Sequence, residues 1–432
     1  MWKMGNKRGF TLVELLVVMA IFIIIIIIAT KAFESIIRIA GHQTKTAASQ
    51  IEGIVGLEML RTDLAHAGYG LPWQFQFAPN AYNEVAGSPA ANTGIDATTL
   101  NDVPPAVPRA IMAAATGAGG SVPGSHYLVI KSALLALKAA NSSVGRWGEL
   151  IYSTAGGLNT STINRVNDIS TDLRDGAAAS PNNVQDRVIT IRSQFTNLGG
   201  ENKVLVMSGA GNNFSYAVPN GFQPPVDGYK PADEFETLTA YGISDTNLRM
   251  PYNRADYYIS RPPSTDPNFK IPDFCNSGTG VLFKAVADHA GGYGTNIYPL
   301  LNCAGDMRVV YYLDMDDDGN PQTFANATNG ANFASSEGAN GADINATLAA
   351  ADLLRQRLKS IYVYILSHEG KKDTSYTYPV TDPGSVITVG PPAMPAVGNV
   401  WTQAAMTAQF GTDWRNYRWK VYSIEVNPRN LQ

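Results

Sequence analysis

The chain has 432 residues, enough for two or three ordinary domains or for one long helix carrying a large head. A net charge of -4 with 16% charged residues gives no basic face of the kind phosphate backbones require, so nucleic acid is not an expected partner. Forty glycines, 25 prolines and 20 tyrosines suit a loop-rich β protein exposed outside the cytoplasm.

The first nine residues, MWKMGNKRG, hold Lys3, Lys7 and Arg8 and no acid. An apolar run begins abruptly at Phe10 and continues to Thr30, with Glu14 its only charge. About twenty-one residues at the helical rise give about 31 Å, the thickness of a bilayer's hydrocarbon core. Basic residues before the run place that end in the cytoplasm and the rest of the chain outside. A cleaved secretory signal would have a shorter apolar region and a small-x-small cleavage site, which the passage into Lys31-Ala32-Phe33 lacks. An ordinary anchor has no use for Glu14, since an ionised carboxylate in that setting costs up to about 3 kcal/mol, less near the interface. The carboxylate calls for a partner.

Lys7-Arg8-Gly9, then Phe10-Thr11-Leu12-Val13-Glu14 and Leu15-Leu16-Val17-Val18, resembles the class III signal of type IV prepilins and pseudopilins. The resemblance implies cleavage after Gly9 by a prepilin peptidase, N-methylation of the exposed Phe10, and retention of the apolar helix. It also implies that Glu14 pairs with the N-terminal amine of a neighbouring subunit, each charge removing the other's desolvation cost in a low-dielectric bundle. Major pilins often carry a helix-kinking Gly and Pro here. Ile23 to Ile28 is unbroken and the first proline is Pro72, so a straighter helix is expected and a major-subunit role is less well matched.

Beyond the membrane run, Phe33, Ile36, Ile37, Ala40, Ala47, Ile51, Ile54, Val55, Leu57 and Leu64 recur at three- and four-residue spacing. The helix is expected to continue to Ala67, where Gly68, Gly70 and Pro72 stop it, giving roughly sixty residues and about 85 Å of rod. Residues 74–125 read as loops, as does the Ala-, Asn- and Gly-rich stretch 329–351. Strands are expected at Tyr127–Ile130, Arg187–Ile191, Val204–Met207, Tyr257–Ile259, Val281–Phe283, Val309–Leu313, Ile361–Leu366 and Tyr417–Val426. In the last of these the apolar phase shifts after Val421, which a bulge would explain.

A second resemblance lies in the body. Leu60-Arg61-Thr62-Asp63-Leu64-Ala65-His66-Ala67-Gly68-Tyr69-Gly70-Leu71-Pro72-Trp73, then Tyr252-Asn253-Arg254-Ala255-Asp256-Tyr257-Tyr258, and the closing Val421-Tyr422-Ser423-Ile424-Glu425-Val426 are similar to PilW-like minor pilins. J-type pseudopilins of type II secretion share the closing pattern. The resemblance implies a low-copy subunit that initiates a filament or sits at its tip, and a head this large would crowd a lattice of small subunits.

Cys275 and Cys303 are the only thiols, and outside the cytoplasm they are expected to form a disulfide worth roughly 3.5 kcal/mol in the chain-entropy model; two buried reduced cysteines are the alternative. Asp314-Met315-Asp316-Asp317-Asp318-Gly319-Asn320 copies the first half of a calcium loop, but Ala325 stands where a bidentate Glu belongs and no nearby acid replaces it. The stretch is read as a hairpin turn, with weak calcium binding through Asp314, Asp316 and Asp318 as the alternative and no metal expected. His42, His66, His126, His289 and His368 show no ligand spacing and are expected to be solvated or locally bonded. No nucleophile elbow or phosphate loop is present, so neither catalysis nor a cofactor is expected.

Together these readings give an α+β chain: a leader (1–9), a transmembrane helix (10–30), its amphipathic continuation (31–67) and a large, mostly antiparallel β-rich head (73–432). The expected role is a minor pilin of a type IV pilus, with a type II secretion pseudopilin or a tip adhesin as alternatives and a membrane-anchored enzyme as a more distant one. Expected partners are prepilin peptidase, other major and minor pilins and inner-membrane lipid, with the head in the periplasm until assembly into a filament.

Overall fold

The computed structural model describes residues 11–431 apart from 77–81, 91, 103–104, 136–144, 146, 154–159, 165–186, 196–200, 209–213, 218–228, 230, 232–235, 245–247 and 329–331; for 35, 38–39, 41–52, 151–153, 160–164, 195, 201 and 216–217 it describes the backbone alone. Helix α1 (Leu12–Ala65) runs unbroken for 54 residues, as a sequence without proline or paired glycines allows. Its start is fixed by a capping box: Glu14 N–H donates to Thr11 Oγ1 at 3.3 Å, and Thr11 N–H donates back to Glu14 Oε2 at 2.9 Å. Its end falls just before the expected Ala67. His66 caps it, and Gly68 and Gly70 follow at φ +82° and +70°, a conformation natural to glycine.

Leu12–Glu34 is exposed and is the one helix among the described residues long and apolar enough to cross a membrane. The character of the helix then changes. Gly53, Gly56, Leu57, Leu60, Leu64 and Ala67 are buried at three- and four-residue spacing, forming one stripe that faces the head. Gly56 marks the tightest crossing, because a Cβ there would stand 2.0 Å from the Leu300 carbonyl oxygen.

The strands among the described residues are β1 (Gln74–Phe75), β2 (Ile111–Ala115), β3 (His126–Ser132), β4 (Trp147–Ser153), β5 (Thr160–Asn164), β6 (Arg187–Phe195), β7 (Glu201–Leu205), β8 (Tyr216–Ala217), β9 (Thr237–Ser244), β10 (Asn253–Ser260), β11 (Gly280–Val286), β12 (Ile297–Leu313), β13 (Thr323–Asn326), β14 (Phe333–Ser335), β15 (Leu358–Glu369), β16 (Ile387–Val389), β17 (Asn399–Trp401) and β18 (Arg418–Val426). The larger sheet is antiparallel throughout, ordered β14-β13-β12-β11-β10-β3-β2, with β15 and β18 leaving it from the other edge of β12. The 17-residue β12 is its axis: it pairs with β11 along its first half, with β13 near its end and with β15 from Ala304 onward. Helix α1 packs on β12, β15 and β18. The smaller sheet, β1-β7-β6-β9-β4-β5, is antiparallel except where β1 joins β7.

Two expectations are corrected. The register of β15 with β18 runs without interruption from Ile361↔Val426 to Glu369↔Arg418, so β18 has no bulge. Its apolar phase shifts because different faces are covered at its two ends. Trp419 packs on Phe410, of helix α4 (Gln403–Phe410), at one end, and Ile424 and Val426 are buried where α1 crosses the strand at the other. The stretches read as loops also carry order. Residues 74–125 include β1 and β2, and 329–351 includes β14 and helix α2 (Gly341–Ala349), which a capping box between Asn340 and Asp343 initiates; helix α3 (Ala351–Arg357) follows. Small residues obscured the helix, which the cap makes possible.

Gly56→Ala should lower the stability of the detergent-solubilised full chain by about 1–3 kcal/mol by forcing α1 away from β12. Gly87→Ala, where a Cβ meets nothing within 4 Å, should leave it unchanged in the same denaturant titration.

Candidate functional site

The N-terminal end of α1 is exposed, and Glu14 projects from its first turn with Oε2 also accepting from the Thr11 hydroxyl at 3.0 Å. A carboxylate here offsets the positive pole of the helix. Gly9 and Phe10 lie outside the described residues, immediately before the Thr11 cap, so an amine created at residue 10 would stand one residue from the helix start. The prokaryotic N-terminal methylation motif matches residues 4–30, spanning the basic segment, the glycine-phenylalanine junction, Glu14 and the apolar run. The chain carries a type IV pilin-like prepilin leader. That leader on an exposed apolar helix describes a membrane-anchored, pilin-type or pseudopilin-type protein. No curated protein and no solved structure matches the chain.

At its other end the helix is locked into the head by charge. Asp63 lies in the last turn of α1, where the negative pole disfavours a carboxylate. It is held there by Lys284, whose Nζ is 2.5 Å from Oδ2, and by the Tyr257 hydroxyl, which donates to the same oxygen. Lys284 and Tyr257 are directly opposed across β11 and β10, so one cross-strand pair receives the helix. Burial and then the Asp63 charge push the Tyr257 hydroxyl well above its ordinary pKa, keeping it a donor.

Beneath this seat lies a buried ionic network. Glu84, Asp102 and Asp256 meet Lys131, Arg254 and Arg109, three carboxylates against three cations. Lys131 reaches Glu84 at 2.7 Å and Asp102 at 2.6 Å, while Arg254 grips Asp256 through Nε and Nη2 at 2.7 and 2.8 Å and Glu84 through Nη1 at 2.8 Å. Tyr252 donates to Glu84, and Tyr127 and Tyr293 donate to Asp256, each at 2.6 Å. Burial alone would raise the Asp102 carboxyl, but Lys131 and Arg109 outweigh it and hold it below its ordinary range. The segments around Asp63 and around Tyr252 to Tyr257 therefore meet in space as the helix seat and the network under it.

Cys275 and Cys303 form a disulfide that ties the segment before β11 to β12. His368 lies beside it, but the bonded sulfurs are not thiolate ligands. Three histidines expected to be solvated or locally bonded are buried. His126 Nδ1 accepts from Val309 N–H at 2.9 Å, His289 Nδ1 from Arg249 N–H at 3.3 Å and His368 Nε2 from Asn276 N–H at 2.8 Å. Burial holds His126 well below its ordinary pKa, His289 down to about 4 and His368 down to about 3. His66 is exposed, and the His42 side chain lies outside the described residues.

In the Asp-rich turn after β12, Asp314, Asp316 and Glu337 each bring a carboxylate oxygen within 4.8 Å of the others. The acid absent from the twelfth position is supplied from just past β14. Asp318, expected as a third candidate, is exposed and is not one of the three that meet.

Asp63→Asn should destabilise the solubilised protein by about 3–5 kcal/mol by leaving Lys284 buried without its counter-charge, and adding Lys284→Met should recover most of that loss in denaturant titrations. The histidines set a pH dependence. The unfolded chain takes up protons on His289 and His368 near pH 6.5 and the folded chain only near pH 3 to 4, so the unfolded state binds more protons in that interval. Stability should fall steadily as pH drops from about 6.5 to about 4, on the order of 3 kcal/mol from His289 alone, as unfolding midpoints across that range will report.

Proposed function

We propose that this chain is a PilW-like minor pilin of a type IV pilus, acting in initiation of the filament or at its tip. It is inserted in the inner membrane with the head in the periplasm, cut after Gly9 by prepilin peptidase and N-methylated on Phe10. Its partners are inner-membrane lipid and the helices of other major and minor pilins. The observation that carries this reading is the methylation-motif match over residues 4–30 running directly into an exposed apolar helix seated in a large head. The bulk of that head favours a low-copy position over a repeating one. Binding and assembly, not catalysis, are its work.

In this reading Glu14 serves twice: it caps its own helix through Thr11, and its charge receives the methylated amine of a neighbouring subunit. The two roles separate by mutation. Glu14→Gln keeps the capping geometry and removes the charge, so cleavage should proceed while incorporation into filaments falls at least tenfold. Thr11→Ala removes the cap at a cost of about 1 kcal/mol and leaves the charge, so incorporation should persist. Equal losses in both variants, measured by immunoblot of sheared filaments, would reduce Glu14 to a cap. Mass spectrometry of the mature protein should find methylated phenylalanine at position 10, and an intact leader on a functional protein would overturn the assignment.

A further inference from the structure

We propose that the turn after β12 is a calcium site built from Asp314, Asp316 and Glu337. Asp314-Met315-Asp316-Asp317-Asp318-Gly319 follows the opening of an oxygen-donor calcium loop, which ordinarily needs a closing carboxylate at its twelfth position. Here the chain reaches that carboxylate by a different route: β13 and β14 form a hairpin that returns Glu337 to the turn, and the three acids come within 4.8 Å of one another.

A second observation points to a ligand. Asp314 is fully buried, and its Oδ1 has no hydrogen-bond partner among the described residues. Its other oxygen is occupied, accepting from Gly319 N–H at 2.9 Å with Lys359 Nζ at 3.5 Å. A buried carboxylate oxygen without a donor costs several times a surface one, and a cation is the partner that also relieves repulsion among three acids. Lys359 does not fill that role. Its side chain is one-quarter exposed and also donates to the Gln356 carbonyl, so it balances one charge of the three from the periphery. Glu337 is positioned by the turn itself, its Oε2 accepting from Met315 N–H at 2.6 Å and its Oε1 from Gln322 N–H.

The donors are all hard oxygens, with no sulfur or imidazole among them, which selects calcium over transition metals. Few protein ligands and a solvent-facing Asp316 place the affinity in the range of weak extracellular sites, about 0.1–1 mM. Bound calcium would tie the end of β12 to the β14 segment that leads into α2, independently of any role of the helix in filaments.

The test uses the full-length protein in detergent, stripped with chelator and titrated with CaCl2 to about 10 mM against NaCl of matched ionic strength. Calorimetry should give a saturable single-site heat, and the unfolding temperature should rise by about 2–5 °C. Asp316→Asn, at an exposed position, and Glu337→Gln should each weaken calcium binding at least tenfold, and Asp316→Asn should unfold at the wild-type temperature in chelator. No saturable heat and no temperature rise in the wild type, an undiminished response in both variants, or an equal response to MgCl2 would overturn the assignment.

Discussion

Everything the head can do for the helix passes through one carboxylate in an unfavourable place. Asp63 sits at the negative pole of a 54-residue helix and among apolar neighbours, and it is tolerable there only because Lys284 and Tyr257 arrive from adjacent strands to meet it. A hydrophobic stripe alone would let α1 slide or roll by a turn at modest cost. A buried charge pair does not permit that, since any displacement leaves an ion without its partner. Gly56 adds a steric limit, fixing how closely the helix lies on β12. Apolar burial supplies the attraction, and these two features supply the register.

The same division of labour recurs deeper in the head. Arg254 and Asp256 stand at alternate positions of β10, with Tyr252 just before the strand, yet each of these polar groups is matched, and the network as a whole is close to neutral. Replacing such a network by packed hydrocarbons could be neutral in stability, so its persistence is better understood as specifying one arrangement of β3, β10 and the Glu84 segment. It lies directly under the helix seat, and rigidity there keeps Tyr257 and Lys284 where Asp63 needs them.

Much of this was legible in the sequence, and the reasons are local. The leader, the apolar run and the amphipathic stripe are written in charge and three- to four-residue spacing, and β3, β6, β10, β11, β15 and β18 announce themselves by β-branched and aromatic runs. Only the end of β12 was visible, because Pro299, Cys303 and Gly305 interrupt its first half; Pro299 lies beside a register shift that accommodates its missing donor. The bulge inferred for β18 mistook a change in what covers the strand for a change in its backbone. The ionic network was hidden for another reason: Glu84 and Arg254 are 170 residues apart, and the only hint was an Arg and an Asp at alternate positions of a strand that is buried along its whole length. Glu337 was missed because a twelve-residue template looks only along the chain, whereas a hairpin brings residues together across it.

The long separations carry a temporal consequence. Helix α1 is made first and is already lodged at the membrane, but its covering strands β12, β15 and β18 belong to the last third of the chain, and Asn430 donates to the Ala65 carbonyl across 365 residues. Until synthesis of the chain is complete, the stripe from Leu57 to Ala67 has no cover and Asp63 has no counter-ion. Closure of the head is thus a late event with a large loop-entropy cost, and a nascent chain must be kept from binding its neighbours through that bare surface until its final strand emerges.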